Sequence, residues 1–440
     1  MPQDVRPVPF SGPETLSREE IESIARLLPY LSYGVDGLEL EGVPVRRLWN
    51  GSRPLLLHLP QRAVDNFTAL HAAFSAHFDV RVHCAVKACY VPEVLRALRA
   101  AGAGIEVMSD LEWRLARSAG FTADRIVSDS IARPVDHLER LLRAPHVTIS
   151  VDGERELESV EWHAKQFGAR PTIVIRANLL PADEFFSTSS KLGTEPNEAY
   201  ALLERAAASP HLDLAGIHAH QLIHCAGVAR FAAQAGAAAE LAAAFATIQG
   251  TRLRVINLGG GLESRFLMER AGTSCQDLAA AAREAMGPAP PGYRLLLEPG
   301  RFVFADAAVA LTGIIAERRK SGQDWLITAV AGNLLRPVRD RSFPPLPVRW
   351  SGDRPWRRWH VGDPTSTPSR LWLDALLPED VARDGLALLD VGAYTAVRAS
   401  LWGSELPDMG IFHDGDVEIT FGEAQQAALA RALYGVDLDW

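Results

Sequence analysis

Eight short apolar runs recur between residues 82 and 298, separated by segments whose apolar residues repeat at helical spacing, and this alternation restricts the fold more than any other feature. The runs are 82–86, 104–107, 125–127, 147–151, 172–176, 214–218, 252–258 and 294–298, with helical segments such as 92–101, 111–119, 154–167, 195–208 and 231–248 between them. Eight strand-helix repeats predict a closed parallel (β/α)8 barrel of the TIM type, with an open doubly wound sheet as the runner-up. In such a barrel chemistry gathers at the C-terminal ends of the strands. After Arg301 the rhythm stops. Short runs at 325–330, 348–350, 386–391 and 417–420, set among Gly, Pro and Asp, predict a mostly antiparallel β domain closed by a helix over 422–434. Upstream, 17–28 reads as helical, 54–58 as a strand and 62–77 as a helix. The expected organisation is an N-terminal segment, 1–58, joining the β domain, a barrel over 59–302 and the β domain over 303–440.

At 440 residues the chain exceeds one ordinary core, since a barrel alone takes about 250. A formal charge of −9 argues against nucleic acid and anionic membranes as partners. The four cysteines Cys84, Cys89, Cys225 and Cys275 form no CxxC pair and fit a reducing cytoplasm. No signal-peptide core opens the sequence, and Asp306 and Glu240 interrupt its longest apolar stretches, so no membrane span is expected.

Unusual residues fall at the predicted strand ends. Lys87 follows the first run; a desolvated amine there has a lowered pKa and attacks a carbonyl, although a lone rim lysine more often snorkels to water. Gly259, Gly260 and Gly261 follow the seventh and offer bare N–H groups to a phosphate; alone, three glycines are more often a tight turn. Arg301, after the eighth, adds a guanidinium fork to the same anion, or else a surface ion pair. Glu298 ends an apolar strand and needs a partner, either a pyridinium nitrogen or a salt bridge within the barrel. His220 offers a ring to stack on a planar cofactor or a plain structural hydrogen bond. His218, His220 and His224 suggest a metal, but no carboxylate or cysteine arrangement completes a ligand set, so none is expected. An amine, a phosphate nest, a carboxylate and a stacking ring at one mouth together describe a pyridoxal phosphate site.

The ordered motifs are Ala85-Val86-Lys87-Ala88, Gly102-Ala103-Gly104-Ile105-Glu106-Val107 with Ser109, Ser190-Lys191-Leu192-Gly193, Gly216-Ile217-His218-Ala219-His220, Leu258-Gly259-Gly260-Gly261, Glu298-Pro299-Gly300-Arg301, Arg336-Pro337 and Asp390-Val391-Gly392-Ala393-Tyr394. In this order the chain resembles the fold-type III pyridoxal-phosphate decarboxylases, the group of diaminopimelate, ornithine and arginine decarboxylases, which pair an alanine-racemase-like barrel with a C-terminal β domain. The resemblance covers residues from about 54 to 400. It implies a homodimer with shared active sites and pyridoxal 5'-phosphate as cofactor. Lys87 would form the internal aldimine, His220 stack on the ring and Glu298 keep the ring nitrogen protonated, so that the carbanion left by carbon dioxide spreads into the ring. Gly259, Gly260, Gly261, Arg301 and Tyr394 would hold the phosphate or lie beside it, and Arg336 would meet a substrate carboxylate.

Three departures stand out. Leu222-Ile223 replaces the family's Gly-Ser, and Asp340 stands where a tyrosine commonly follows Arg-Pro. The motif that usually carries a cysteine and a following acid across the dimer interface reads Gly362-Asp363-Pro364-Thr365-Ser366-Thr367-Pro368-Ser369. Ser366 takes the place of the acid catalyst and Thr365 that of a substrate contact. Exchanging a thiol near pKa 8.5 for a hydroxyl near water's 15.7 removes roughly 10 kcal/mol of acidity, at about 1.36 kcal/mol per pKa unit. Another group or water must then deliver the proton. The expected function is a decarboxylase of an amino acid or amino-acid conjugate, of the kind found in siderophore or other specialised metabolism. A racemase, epimerase or lyase on the same cofactor is the first rival, and a non-catalytic relative that binds partners, as antizyme inhibitor does, is the second.

Overall fold

The structure, a computed structural model, describes residues 15–51, 53–181, 190–250, 252–287, 293–335, 343–349, 354–367 and 371–436. The chain divides into two compact units, one holding Val64–Val303 and the other Ser11–Ala63 with Phe304–Trp440.

The first unit is the expected barrel. Its strands are β1 (Asp79–Ala85), β2 (Gly104–Val107), β3 (Ile126–Asp129), β4 (Thr148–Val151), β5 (Thr172–Arg176), β6 (Asp213–His218), β7 (Val255–Asn257) and β8 (Arg294–Leu297). Each pairs in parallel with the next, and β8 closes on β1 with Leu297 opposite Val82. Strands buried on both faces read as continuous apolar runs, which is why the sequence marked them.

The helix Val228–Gln249 is long and apolar enough to cross a membrane. It packs instead on the barrel, burying Phe231, Ala235, Ala238, Ala242 and Phe245 and lying against the helix Cys275–Met286. Its buried Gln234 fastens it to the rim: Nε2 donates to the Leu258 carbonyl at 2.9 Å, and Oε1 accepts from the Gln221 N–H at 2.7 Å.

Two buried histidines each contribute a loss of stability in acid. Burial above all, with Arg81 and Arg125 nearby, pushes His83 down to about 3. Burial likewise pushes His218 down to about 3, with Arg176 assisting and Asp129 opposing. The unfolded chain binds protons on these rings below about 6.5 and the folded chain does not until about 3, so stability falls as pH drops through that window. Each ring contributes up to about 1.4 kcal/mol per pH unit. Buried Glu106 and Glu298, raised above the unfolded carboxylate range, act in the opposite sense over the same window, so the effect is read by difference: from pH 7 to pH 4 the urea-unfolding free energy of His83→Gln should lose less than that of wild type, by one ring's share.

In the second unit, β-sheet predominates. A six-stranded sheet runs in the order Pro345–Pro347, Leu386–Leu388, Ala308–Thr312, Leu55–His58, Asp408–His413, Asp416–Phe421. A four-stranded sheet runs Ile314–Lys320, Gln323–Thr328, Trp356–Gly362, Trp372–Pro378, and a three-stranded sheet is formed by Leu31–Gly34, Gly37–Leu40 and Val43–Pro44. Pairing is antiparallel except between Leu55–His58 and Asp408–His413, and between Gln323–Thr328 and Trp356–Gly362. Trp359, Trp372, Leu377 and Leu388 anchor its core.

Local details depart from expectation. The predicted helix over 17–28 is a short helix, Arg18–Glu22, opened by a Ser17–Glu20 capping box, and then a 3-10 turn, Ile24–Arg26. Ser23 ends the helix because its hydroxyl donates back to the Glu19 carbonyl at 2.7 Å. The strand expected at 348–350 lies instead at Pro345–Pro347, on the edge of its sheet, where prolines cost no ladder hydrogen bond; Trp350 is outside the described residues.

Candidate active site

The ends of β1, β2, β3, β5, β6, β7 and β8 bring titratable or polar side chains together. Lys87 sits in the 3-10 turn Val86–Ala88 directly after β1. Its Nζ donates to both carboxylate oxygens of Glu106, at 3.0 and 2.9 Å. Glu106 lies on β2 opposite Ala85, so strand register sets this pair. Burial pushes the Glu106 carboxyl up to about 7, while Lys87 opposes the rise.

Asp129 ends β3 and Arg176 ends β5; the guanidinium Nη1 lies 3.4 Å from each Asp129 oxygen. Burial alone would raise Asp129, but Arg176 first, then His218 and Lys87, outweigh it and hold the carboxyl well below its ordinary range. His218 ends β6, with Nδ1 2.8 Å from the Ser150 hydroxyl and Nε2 3.4 Å from Glu298 Oε2. His220 follows; burial and then Arg176 keep its ring well below the usual histidine range, hence neutral.

Glu298 directly follows β8 and is buried. Asn257, the last residue of β7, donates to its Oε1 at 2.6 Å. Its Oε2 is buried and, although His218 Nε2 lies 3.4 Å away, makes no hydrogen bond among the described residues. Burial, reinforced by Asp129 and Glu106, pushes Glu298 well above the carboxylate range. A buried carboxylate oxygen with no donor is costly, and a cationic N–H supplied from outside the chain would relieve it.

The three glycines are not equivalent. The Gly259 N–H donates to Asn257 Oδ1 at 2.8 Å and its carbonyl accepts from the Glu298 N–H at 2.6 Å, so this residue ties β7 to β8. The N–H groups of Gly260 and Gly261 donate to no acceptor among the described residues, which narrows the expected nest to these two. A Cβ on Gly260 would overlap the Glu298 carbonyl, and one on Gly261 the Leu222 carbonyl. Gly260→Ala is therefore expected to cost about 1–3 kcal/mol through forced backbone shifts. A lowered urea midpoint together with weakened cofactor retention would register this.

Arg301, nearly buried, places Nε 3.3 Å from Glu263 Oε1, and His224 Nδ1 lies 3.3 Å from Glu263 Oε2. His224 is thus paired with Glu263, while Asp129, His218, His220 and Glu298 form a cluster whose ligand atoms lie within 4.8 Å of one another. The expectation that no carboxylate joins the histidines is corrected here: strand-end packing brings in two carboxylates separated from them in sequence. Arg176 already compensates Asp129, which lessens the pull of the cluster on a metal cation.

Within this unit the structure gathers Lys87, His220, Gly259, Gly260, Gly261, Glu298 and Arg301. Tyr394, Thr365 and Ser366 belong to the other unit. Tyr394 has φ 61°, in the left-handed region, in the same turn as Asp390 at the same φ. Ser366 is exposed. The Thr365 hydroxyl donates to Asp363 Oδ1 at 2.7 Å, and Asp363 Oδ2 accepts from the Gly332 N–H at 2.8 Å. Arg336 and Asp340 lie outside the described residues. Sequence reasoning assigned no role to Glu106, Asp129, Arg176 or Asn257, although each ends or nearly ends an apolar run and carries a side chain that a buried strand would not otherwise keep.

A parallel barrel whose rim offers a lysine amine, a buried carboxylate oxygen without a donor, a neutral imidazole and two bare backbone N–H groups fits the four parts of pyridoxal phosphate: aldehyde, ring nitrogen, ring face and phosphate. The fold and site thus define a pyridoxal phosphate enzyme. Residues 63–305 match the family described as "Pyridoxal-dependent decarboxylase, pyridoxal binding domain", and the chain belongs to that family as a fold-type III decarboxylase. It is 26% identical over 389 residues to diaminopimelate decarboxylase of Aquifex aeolicus, covering 86% of this chain and 91% of that protein. It is 25% identical over 336 residues to the L-glutamyl-[BtrI acyl-carrier protein] decarboxylase of Niallia circulans, covering 72% and 78%. The crystal structure of diaminopimelate decarboxylase from M. jannaschii superposes with a TM-score of 0.84 at 19% identity, covering 92% of this chain and 98% of that one. The protein is a pyridoxal phosphate-dependent amino-acid decarboxylase, a carboxy-lyase.

Proposed function

We propose that the chain removes the α-carboxylate of an amino acid or amino-acid conjugate lacking a free distal ammonium, within a specialised biosynthetic route. The observation that carries the reading is the convergence on one barrel rim of Lys87 Nζ, the buried Glu298 Oε2 and the Gly260 and Gly261 N–H groups, the last three without a hydrogen bond among the described residues. Bound pyridoxal phosphate supplies an electron sink for the charge left when carbon dioxide departs. Lys87 is the residue that binds its aldehyde, and Glu298 the carboxylate that keeps a proton on the ring nitrogen. Asn257 orients Glu298, and Asp129 and Arg176 compensate each other so that neither competes for that proton. His220, neutral, presents its ring without adding a second positive charge. Gly260, Gly261, Arg301 and Tyr394 are proposed to hold the phosphate, and Arg336 a substrate carboxylate.

The preference for a substrate without a distal ammonium rests on the 362–369 segment. Its one acid, Asp363, is buried and committed to Gly332 and Thr365, which leaves no carboxylate of that segment to meet a cation. A decarboxylase of carrier-bound glutamate among the relatives supports a conjugate. We also propose a homodimer in which Thr365 and Ser366 serve the partner's site; exposure of Ser366 on the single chain accords with this. The missing thiol favours one second reading, a racemase or epimerase on the same cofactor.

The test is release of labelled carbon dioxide from carboxyl-labelled free amino acids, N-acylated amino acids and carrier-bound thioesters. Release from a member without a distal ammonium supports the proposal. Exchange of the α-hydrogen with solvent without carbon dioxide release would establish the second reading instead.

A further inference from the structure

The carboxylates around Lys87 are unequal. Asp129 is taken up by Arg176. Glu298 is held by Asn257. Glu112 accepts from the Tyr90 hydroxyl at 2.9 Å and from the Met108 N–H at 2.8 Å. Glu106, fully buried, receives hydrogen bonds from Lys87 alone among the described residues. Both of its oxygens face Nζ, and the pairing of β1 with β2 holds them there independently of any ligand.

An ammonium cannot attack a carbonyl; the nitrogen must first lose a proton, and in this pocket the receiver must already be in contact with it. We propose that Glu106 is the proton partner of Lys87, taking the proton the ammonium sheds before it attacks the cofactor aldehyde and returning it to the oxygen that leaves as water. This deepens the reading above and rests on Lys87 being the cofactor lysine. In the balance, Nζ gives one proton to Glu106 and forms the carbon–nitrogen bond, while a second nitrogen proton moves to the former carbonyl oxygen. Glu106 then protonates that oxygen, water departs, and the nitrogen is left with one hydrogen and the positive charge the ammonium began with. No oxidant or other reactant is needed. The same exchange, run between Lys87 and a substrate amine, uses the pair in reverse.

Glu106 sits close to neutrality, as such a shuttle requires: burial pushes it up to about 7, with Asp129 and Glu112 adding to the rise and Lys87 opposing it. The other titratable groups facing the pair are Tyr90, His218, His220 and Glu298. Burial, then Glu112, holds the Tyr90 hydroxyl well above its ordinary range, and burial keeps both histidines neutral, so none of these three exchanges protons near pH 7.

The experiment follows uptake of pyridoxal phosphate by cofactor-free protein, reading the rise of visible absorbance from pH 5 to 9, with borohydride trapping and peptide mapping to place the adduct. Glu106→Gln removes the counter-ion of Lys87, so the amine is freed at lower pH. The limb of the rate profile should move down by about one unit or more, making uptake about tenfold faster at its acid end. Above the limb the plateau should fall by about a hundredfold, because the proton for the departing oxygen is lost. Glu106→Asp should restore part of both and carries the same comparison if the glutamine variant does not fold. A uniform loss of rate with an unmoved limb in the variant that folds would overturn the proposal while leaving Lys87 as the cofactor residue. A wild-type chain that takes up no cofactor at Lys87 would overturn both together.

Discussion

Lys87→Ala should lower kcat/KM for decarboxylation by at least about four orders of magnitude, about 5.4 kcal/mol at about 1.36 kcal/mol per tenfold. Three separate losses combine in that number. The amine that binds the cofactor aldehyde is gone, the covalent exchange with substrate becomes a bimolecular event, and the cofactor is no longer retained between turnovers. The fold should survive, because Glu106 responds to the loss of its cation by taking up a proton. With its folded pKa already above the unfolded value, Glu106 lowers stability as pH rises, and removing Lys87 raises that pKa further. Lys87→Ala should therefore differ little from wild type in urea midpoint at pH 6 and fall behind it at pH 8. Steady-state kinetics and borohydride trapping check the first part, and denaturation at the two pH values checks the second. Normal turnover by the alanine variant would remove the catalytic assignment of Lys87.

Glu298→Gln is the second large effect and has two faces. The amide keeps the shape of the carboxylate and can still accept from Asn257, but its NH2 faces the ring nitrogen with another donor. The nitrogen then loses its proton and with it the capacity to take up charge from the substrate carbon. A loss of about 10²–10³ in kcat is expected, the scale on which removal of one preorganised electrostatic partner is felt. KM and the Lys87 adduct should change little. Stability should move the other way. Glu298 is a buried acid whose carboxyl burial drives well above its ordinary range, with Oε2 making no hydrogen bond among the described residues, so a neutral isostere is better tolerated in the cofactor-free protein. A higher urea midpoint for cofactor-free Glu298→Gln at pH 7.5, beside a depressed kcat, would show a strain retained for function. Equal kcat in the two proteins would contradict the role given to Glu298.

Much of the barrel was legible because its signal is local. Each buried parallel strand must be apolar on both faces, and β2, β5 and the helix Glu154–Phe167 lie where the apolar runs and helical spacing placed them. Lys87, Gly260 and Glu298 stood out as candidates for a related reason: each falls where an apolar strand's pattern breaks off, at the end where a barrel keeps its chemistry. Glu106 and Arg176 satisfied the same rule and were assigned no role, since a charge at a strand end is equally a solvated rim residue until its neighbours are known. Asn257 was invisible because an asparagine before a glycine run reads as a turn. Gly259 was misjudged in part, as nothing local reveals that its N–H is already taken by Asn257.

From the chain alone came the order of strands and helices, the face on which reactive groups emerge and the residue types available there, because apolar periodicity and strand-end chemistry act over a few neighbours. Which carboxylate meets which cation was settled only by tertiary structure. Lys87 with Glu106, Asp129 with Arg176 and Asn257 with Glu298 are separated by 19, 47 and 41 positions, and barrel closure brings them within hydrogen-bonding range. Their protonation was decided there too, since burial and the nearest opposite charge, neither of them a property of sequence, divide these acids into one held ionised and two driven toward neutrality.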